Sequence, residues 1–454
     1  MKTRTCANLK GATQIVRTIN ITPERERAVL VAVDWREDGW DVQASLEELA
    51  RLAETASIDV VDSITQRLDH PNPRQYIGSG KLQELVALAD QIPFDLVLVN
   101  DELSPAQLRN MEDAVQKKVI DRTALILDIF AGRARTHEGR LQVELAQLEY
   151  RLPRLTRMWS HLSRQAVGGV GLRGPGETQL ESDRREARRR ITWIKQQLEE
   201  VHRHRQLYRD RRTRAGMPVV SLVGYTNAGK STLLNTLSGA DVLAEDKLFA
   251  TLDPTTRRVE LPTGREVLIT DTVGFIQNLP TLLIAAFRAT LEEIREASAL
   301  VHVLDVTHPQ VVQQAATVHS VLEELGADSV PIIAALNKID QLDGSPFPDA
   351  LLAALAPERA VVPISAQTGE GLDDLLAGIA GVLSGGKRLV DVDLLVPFGD
   401  ARILDLFHRV GQVDDQQFNE QGTEISGRIL KLLMCRAIAF RSAGRSLCAL
   451  IHIW

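Results

Sequence analysis

Gly224-Tyr225-Thr226-Asn227-Ala228-Gly229-Lys230-Ser231 is the stretch that decides the central fold. A glycine, four residues and then Gly-Lys-Ser match the phosphate-loop pattern. Ahead of it, Val219-Val220-Ser221-Leu222-Val223 is apolar and predicts a buried strand. Behind it, the run from Ser231 through Thr232 to Leu237 reads as a helix. The glycines let backbone N–H groups turn inward around phosphate oxygens, and the helix N-terminus adds a favourable dipole. Lys230 is expected to reach the β- and γ-phosphates, and the Ser231 hydroxyl to ligate Mg2+.

Working outward, each further motif sits at the carboxyl end of an apolar run. Asp271-Thr272-Val273-Gly274 follows Val267-Leu268-Ile269-Thr270. Asp271 is expected to hold Mg2+ through water, and Gly274 to leave room for its N–H to approach the γ-phosphate. Asn337-Lys338-Ile339-Asp340 follows Pro331-Ile332-Ile333-Ala334-Ala335-Leu336. The Asp340 carboxylate can accept from the N1–H and N2–H2 edge of guanine, a donor pair adenine lacks. Ser365-Ala366-Gln367 follows Val361-Val362-Pro363-Ile364, and this loop is expected to give a backbone N–H to guanine O6. The order and strand-end placement imply an α/β domain with a mostly parallel sheet that binds GTP and GDP. Between the phosphate loop and Asp271 lies Phe249-Ala250-Thr251-Leu252-Asp253, followed by Pro254-Thr255-Thr256. A threonine here should complete the Mg2+ shell, and Thr251, Thr255 and Thr256 are the candidates. Phe275 follows Gly274 and cannot orient water by hydrogen bonding, so hydrolysis is slow or another group acts.

The chain has 454 residues, enough for roughly three or four domains. Charged residues make up 25% and hydrophobic ones 44%, the balance of a soluble globular chain. Lys and Arg number 53 against 60 Asp and Glu, a net charge of −7, so any RNA contact must come from a local patch. Cys6, Cys435 and Cys448 are too few and scattered for a disulfide framework or a cysteine metal site. With no signal-type start and no long apolar run, the expected setting is cytoplasmic, with no membrane span. His302 and His308 flank Asp305 near a strand end and are read as structural.

Before the phosphate loop, Arg27 to Val33, Ile58 to Val61 and Phe94 to Val99 read as strands. Helical faces lie between them, and Ser104 is placed to cap the next helix. This is a small α/β domain. Gly78-Ser79-Gly80-Lys81 looks like a truncated phosphate loop, a second, ATP-type site on one reading and a helix-opening turn on the other. Then Leu141, Leu145, Leu148, Leu152 and Leu155 recur at helical spacing, with Pro153 expected to kink the helix. Ala187, Ile191, Ile194, Leu198 and Val201 repeat the rhythm. Two such helices predict an antiparallel coiled-coil hairpin. Arg184, Arg185, Arg188, Arg189 and Arg190 crowd its second arm, with acids at Glu181, Asp183 and Glu186 for pairing within the helix. The tip, Val167 to Thr178, carries Gly168, Gly169, Gly171, Arg173, Gly174 and Gly176. So glycine-rich a loop suits close backbone approach to RNA, and the arginines suit a phosphate backbone. Trp159 and Trp193 are read as packing residues between the arms.

The tip, with Gln179-Leu180-Glu181-Ser182-Asp183-Arg184-Arg185 after it, resembles the signature loop of the HflX family of ribosome-associated GTPases. Asp101 to Gln107, Ile120-Asp121-Arg122-Thr123, Leu141 to Gln147, Phe249 to Asp253 and Asp271 to Phe275 carry the same resemblance. It selects Thr251 as the switch threonine. It implies an N-terminal α/β domain over 1–130, a helical hairpin over 131–215 and a phosphate-loop GTPase domain over 216–385. It also implies Mg2+, binding to ribosomal RNA of the large subunit, and splitting or rescue of stalled ribosomes under stress. Any membrane association would then be indirect, through ribosomes. Related GTPases with an asparagine at the place of Asn227 hold K+ against the phosphates, so K+ is a second expected ion. Residues 386–454 are expected to form a small α/β domain whose tail, from Lys431, departs from the family pattern. The chain is expected to act as a monomer. An ATP-driven RNA remodeller using the N-terminal domain, and a passive ribosome assembly or hibernation factor, are the alternative readings.

Overall fold

A computed structural model describes residues 25–35, 41–155, 175–214, 217–239, 248–277, 280, 283, 293–327, 329–342, 347–355, 358, 360–383, 389–396, 412–419 and 422–430. The first sheet is built from β1 (Arg27–Asp34), β2 (Asp59–Arg67), β3 (Leu96–Val99) and β4 (Lys118–Asp121). All its pairs are parallel, in the order β2-β1-β3-β4. Parallel strands need crossovers, and α1 (Val42–Thr55), α2 (Ser79–Gln91) and α3 (Pro105–Val115) supply them. β1 is buried on both faces, so its apolar run is uninterrupted. β2 extends well past the expected Val61, because an edge strand with polar residues such as Asp62, Ser63 and Gln66 gives no apolar signal. Ser104 caps α3 by a full capping box with Gln107. Four-residue β4 and the helix it feeds, α4 (Arg122–Arg133), are too short a strand and too tightly joined to be read from the sequence.

The hairpin arms are α5 (His137–Arg154) and α6 (Pro175–Arg214). Leu141, Leu145 and Ile194 are buried between them, flanked by Leu148, Ile191 and Leu198, as the spacing predicts. Pro153 lies within α5, whose last described helical residue is Arg154, and the Leu155 N–H still donates to the Arg151 carbonyl at 2.9 Å. Three expectations are corrected here. Pro175 opens α6, so Gly176 to Thr178 are helical; proline suits a first turn, whose N–H groups lack intrahelical partners. Basic residues of α6 also pair across the arms, Arg190 on Glu144 at 2.7 and 3.0 Å and Lys195 on Glu149 at 2.8 Å. Arg184 is half-buried and Arg185 exposed. Trp193 is 42% exposed, with the Arg190 guanidinium 4.3 Å from its ring centre, and does not fill the seam. Gly168, Gly169, Gly171, Arg173, Gly174 and Trp159 lie outside the described residues.

The central sheet has the order β10-β9-β8-β5-β7-β6. Its strands are β5 (Val219–Gly224), β6 (Thr255–Glu260), β7 (Glu266–Asp271), β8 (Ala299–Asp305), β9 (Ile332–Asn337) and β10 (Ala360–Pro363). Only β6 runs antiparallel, against β7. Helices α7 (Lys230–Ser238), α8 (Val311–Glu324), α9 (Asp349–Ala354) and α10 (Leu372–Leu383) cover its faces. Ala299, Val301 and Val303 of β8 enter one core with Leu233 and Leu375, while Leu300 faces Val318 and Leu322 of α8 on the other side. Period-two alternation thus feeds two layers from one strand. The carboxyl ends of β5, β7, β9 and β10 fall along one sheet edge, where ligands bind in such folds. A third, antiparallel sheet orders as β11-β13-β12, from β11 (Leu389–Val396), β12 (Gln412–Asn419) and β13 (Gly422–Leu430). β12 was not expected; its charged and amide-rich run masks a strand. The expected helix from Asp400 to Val410 and the tail from Lys431 lie outside the described residues. No described helix is long and apolar enough to cross a membrane.

Candidate nucleotide site

β5 ends at Gly224, and the loop after it wraps the start of α7. Gly229 caps that helix at φ 95°, a left-handed value that glycine adopts without cost. Thr226, Asn227, Gly229, Lys230, Ser231, Thr232, Phe249, Ala250, Thr251, Thr272 and Gly274 line an open cleft. A Cβ on Gly274 would sit 2.9 Å from the Thr226 Cα and 3.0 Å from the Lys230 Nζ, so only glycine passes there. Gly224, Tyr225, Ala228, Leu252, Asp253, Asp271 and Val273, expected at the nucleotide, are not among the lining residues, nor are the base-side residues Asn337 to Asp340 and Ser365 to Gln367.

Lys230 is buried, and its Nζ donates to the carbonyls of Gly224 (3.1 Å) and Tyr225 (2.8 Å). Burial pulls its pKa down to about 8, against the upward effect of Asp271. A phosphate would favour the charged form that burial disfavours. Ser231 Oγ donates to Asp271 Oδ2 at 2.6 Å and lies 2.8 Å from Thr251 Oγ1. Asp271 is buried, and burial raises its pKa. Its Oδ1 has no hydrogen-bond partner among the described residues. Three converging oxygen donors with an orphaned carboxylate oxygen fit a hard cation such as Mg2+. Thr251 is the candidate threonine brought to Ser231; Thr256 Oγ1 instead meets Thr270 Oγ1 at 3.0 Å between β6 and β7.

Asn337 ties the base-side loops together. Its Nδ2 donates to the Ala228 carbonyl (2.8 Å) and its Oδ1 accepts from the Ala366 N–H (2.9 Å). The Ser365 N–H is taken by the Glu370 carbonyl at 2.9 Å. An N–H offered by Ala366 to guanine O6 must therefore be shared with Asn337. Lys338 adopts a left-handed φ of 69° and pairs with Asp305 at 2.6 Å. Asp340 stands exposed in the 3-10 turn Ile339–Gln341, and Gln367 is also exposed.

Phe275 is 1% exposed and part of the core, so its side chain takes no place beside a phosphate. Its backbone closes the loop: Thr226 N–H donates to the Phe275 carbonyl (2.8 Å) and Phe275 N–H to the Gly224 carbonyl (3.1 Å). The nearby glutamine, Gln277, is also buried and accepts from Ser45 of α1 at 2.8 Å.

Glu48 and Gln277, which the sequence did not point to, help join this site to the first domain. The Tyr225 hydroxyl donates to Glu48 of α1 and accepts from the Gln277 N–H at 2.7 Å. Burial and the Glu48 charge push its pKa well up. The Arg122 guanidinium, 2% exposed, bonds Glu48, Asn100 Oδ1 (2.9 Å) and the Gln277 carbonyl (3.2 Å). Asp253, expected at the nucleotide, does not line the cleft, and its carboxylate is engaged elsewhere. It accepts from the Arg135 N–H (2.8 Å), the Thr136 N–H (2.9 Å) and the Thr136 hydroxyl, at the start of α5. Phe249 packs edge-on against Phe130 of α4, with ring centres 4.7 Å apart. At the truncated phosphate loop, the Gly78 N–H is taken by Gln66 Oε1 (2.8 Å) and Lys81 bonds Glu84 (2.9 Å).

Three family models match the chain in order. They are described as GTP-binding GTPase N-terminal over residues 43–131, GTP-binding GTPase Middle Region over 133–212 and 50S ribosome-binding GTPase over 219–338. The GTPase HflX of Caldanaerobacter subterraneus subsp. tengcongensis is 48% identical over 89% of this chain and 91% of its own. That of Escherichia coli is 45% identical over 88% and 92%. That of Alkalihalophilus pseudofirmus is 54% identical over 70% and 74%. Identity of this level, sustained through all three matched regions, makes the chain a member of the HflX family and a GTPase.

Proposed function

We propose that this GTPase is a Mg2+-dependent switch that binds the large ribosomal subunit and splits or rescues stalled ribosomes under stress. Lys230 and the N–H groups of the phosphate loop hold the phosphates; Ser231 and Thr251 ligate Mg2+, and Asp271 holds it through water. Bound Mg2+ neutralises charge on the β- and γ-phosphates. Asp340 selects guanine, and Asn227 holds K+ against the phosphates in place of a positioned glutamine.

The observation that carries the reading is Asp253. It lies two residues after Thr251, and its carboxylate accepts from the N–H groups of Arg135 and Thr136 at the entry to the first hairpin arm. Ordering Thr251 on Mg2+ and releasing it on hydrolysis therefore acts on the base of α5. The other nucleotide-sensing segment is tied through Gln277 to Arg122 and Ser45. Ribosomal RNA as partner is supported by the arginine-bearing second arm, by the glycine-rich tip and by the matched model's description as a 50S ribosome-binding GTPase. The domains that act are the units expected at 1–130, 131–215, 216–385 and 386–454.

Co-sedimentation with purified large subunits tests this. The intact chain should pellet with a non-hydrolysable GTP analogue and stay in solution with GDP. Replacing residues 168–174 by a short Gly-Ser turn should abolish capture without changing GTP affinity. Capture that ignores both the nucleotide and the tip sinks the proposal.

A further inference from the structure

Behind the nucleotide edge, a second cluster joins three elements of the central domain. His302 lies in the middle of β8, opposite Val223 of β5 in register. It shares the parity of Leu300 and Leu304, whose side chains lie in cores with α8 residues. His319 comes from α8 itself, and Glu358 from the connection between α9 and β10. Glu358 Oε1 is 2.8 Å from His302 Nδ1 and 3.0 Å from His319 Nε2, and all three donor atoms lie within 4.8 Å of one another. His302 and Glu358 side chains are each 1% exposed, whereas His319 is 23% exposed.

Two imidazole N–H groups can satisfy Oε1 without help. They leave Oε2 buried and without a hydrogen-bond partner among the described residues. The ion-pair partners of Glu358 there are the two histidines, which carry no charge when neutral. A carboxylate this deeply buried needs a positive charge beside it. The donors are already close to metal spacing: ligand atoms about 2.0–2.1 Å from a tetrahedral Zn2+ stand roughly 3.3 Å apart. Opening the triad by a few tenths of an ångström makes room, and the orphaned Oε2 becomes a ligand oxygen.

We propose that His302, His319 and Glu358 form a structural site for a divalent transition metal of the zinc class. Two imidazoles and a carboxylate suit such an ion better than Mg2+, which wants oxygen alone. The site is nearly closed, with entry past His319, so its role is to brace rather than to catalyse. It pins α8 and the lead-in to β10 onto β8, and β10 carries the Ser365-Ala366 loop.

The full chain, stripped with a chelator and held in excess Mg2+, is titrated with Zn2+ against a chromophoric chelator. One equivalent that Mg2+ does not displace is expected, together with a higher unfolding temperature. His319→Ala should weaken that binding by at least about 100-fold, the upper range for losing an outer-shell partner alone. Ser231→Ala, in the nucleotide cleft, should keep the equivalent. Co2+ on the unaltered chain should give the visible bands of a four-coordinate nitrogen and oxygen site. That spectrum decides the matter should the His319 variant fail to fold. No Mg2+-resistant equivalent, full binding by folded His319→Ala, or an octahedral Co2+ spectrum would each overturn the proposal.

Discussion

At the scale of single residues, charge and burial make sharp demands on the site. Asp340 presents an acceptor-only carboxylate at an exposed position. Asp340→Asn replaces half of it with a donor, which repels the guanine N–H edge. GTP affinity should fall by about 10–100-fold, the worth of hydrogen bonds to a charged group. The same variant should gain xanthosine triphosphate, whose C2 carbonyl accepts from the new amide; competition against a fluorescent nucleotide reads both. Lys230 gives a proton signature. Its free pKa of about 8 lies below that of an exposed lysine because of burial, so at pH near 9 it is mostly neutral. Phosphate binding favours the ammonium form and pulls a proton in. Calorimetry of GDP binding in buffers of different ionisation enthalpy should show uptake that rises from near zero at acid-neutral pH towards one proton at alkaline pH. Flat, zero uptake across that range contradicts the buried lysine. For Asn227, exchanging K+ for Na+ should slow turnover by about tenfold or more, a barrier change of ~1.4 kcal/mol; an unchanged rate removes K+ from the mechanism.

At the scale of elements, the most consequential contact is one carboxylate on one helix end. The N-terminus of α5 has orphan N–H groups that the Thr136 side chain caps in part, through the Gly139 N–H at 2.9 Å. Asp253 adds a charge where the helix dipole favours one. Asp253→Ala should cost about 1–2 kcal/mol of stability, the range for losing hydrogen bonds to a charged acceptor. Denaturant midpoints measure that. Because the same carboxylate restrains the Thr251 segment, GDP should also leave the variant faster, as stopped-flow release of a fluorescent analogue would show. Equal stability and equal release would mean that the contact couples nothing. The element scale also explains what was readable. α3 announced itself through Ser104, Pro105 and Gln107, a short-range cap that any sequence reading can find. β2 and β12 did not, since an exposed or amide-rich strand has no apolar alternation to reveal it.

At the scale of the whole molecule, two sheets are joined through a buried polar hub. Glu48, Arg122, Tyr225 and Gln277 hydrogen-bond one another across a seam that would otherwise strand a guanidinium, whose Nε alone has no partner among the described residues. Glu48→Gln removes the charge partner of Arg122. Losing one side of a buried pair costs roughly 3–5 kcal/mol. We expect the variant to unfold in two separable transitions, the first domain before the nucleotide domain, where the unaltered chain shows greater overlap. Calorimetric scans with and without GDP distinguish them, since GDP should shift the second transition alone. A single transition at an unshifted temperature would show that the hub does not hold the domains together.

The sequence by itself determined the parts whose causes are short in range. The phosphate loop, the apolar strands that deliver each motif, the hairpin seam of Leu141, Leu145 and Ile194, and the cap at Ser104 all follow from neighbours within a turn or two. Only the tertiary structure decided which distant groups meet. It turned Asp253 towards α5, buried Phe275 and placed Glu48 against a tyrosine 177 residues away. It also gathered His302, His319 and Glu358 from three elements. Residue pattern specifies the face a side chain takes within its own element. It does not specify how two sheets dock, and docking sets the few ångströms over which hydrogen bonds, ion pairs and metal ligation act.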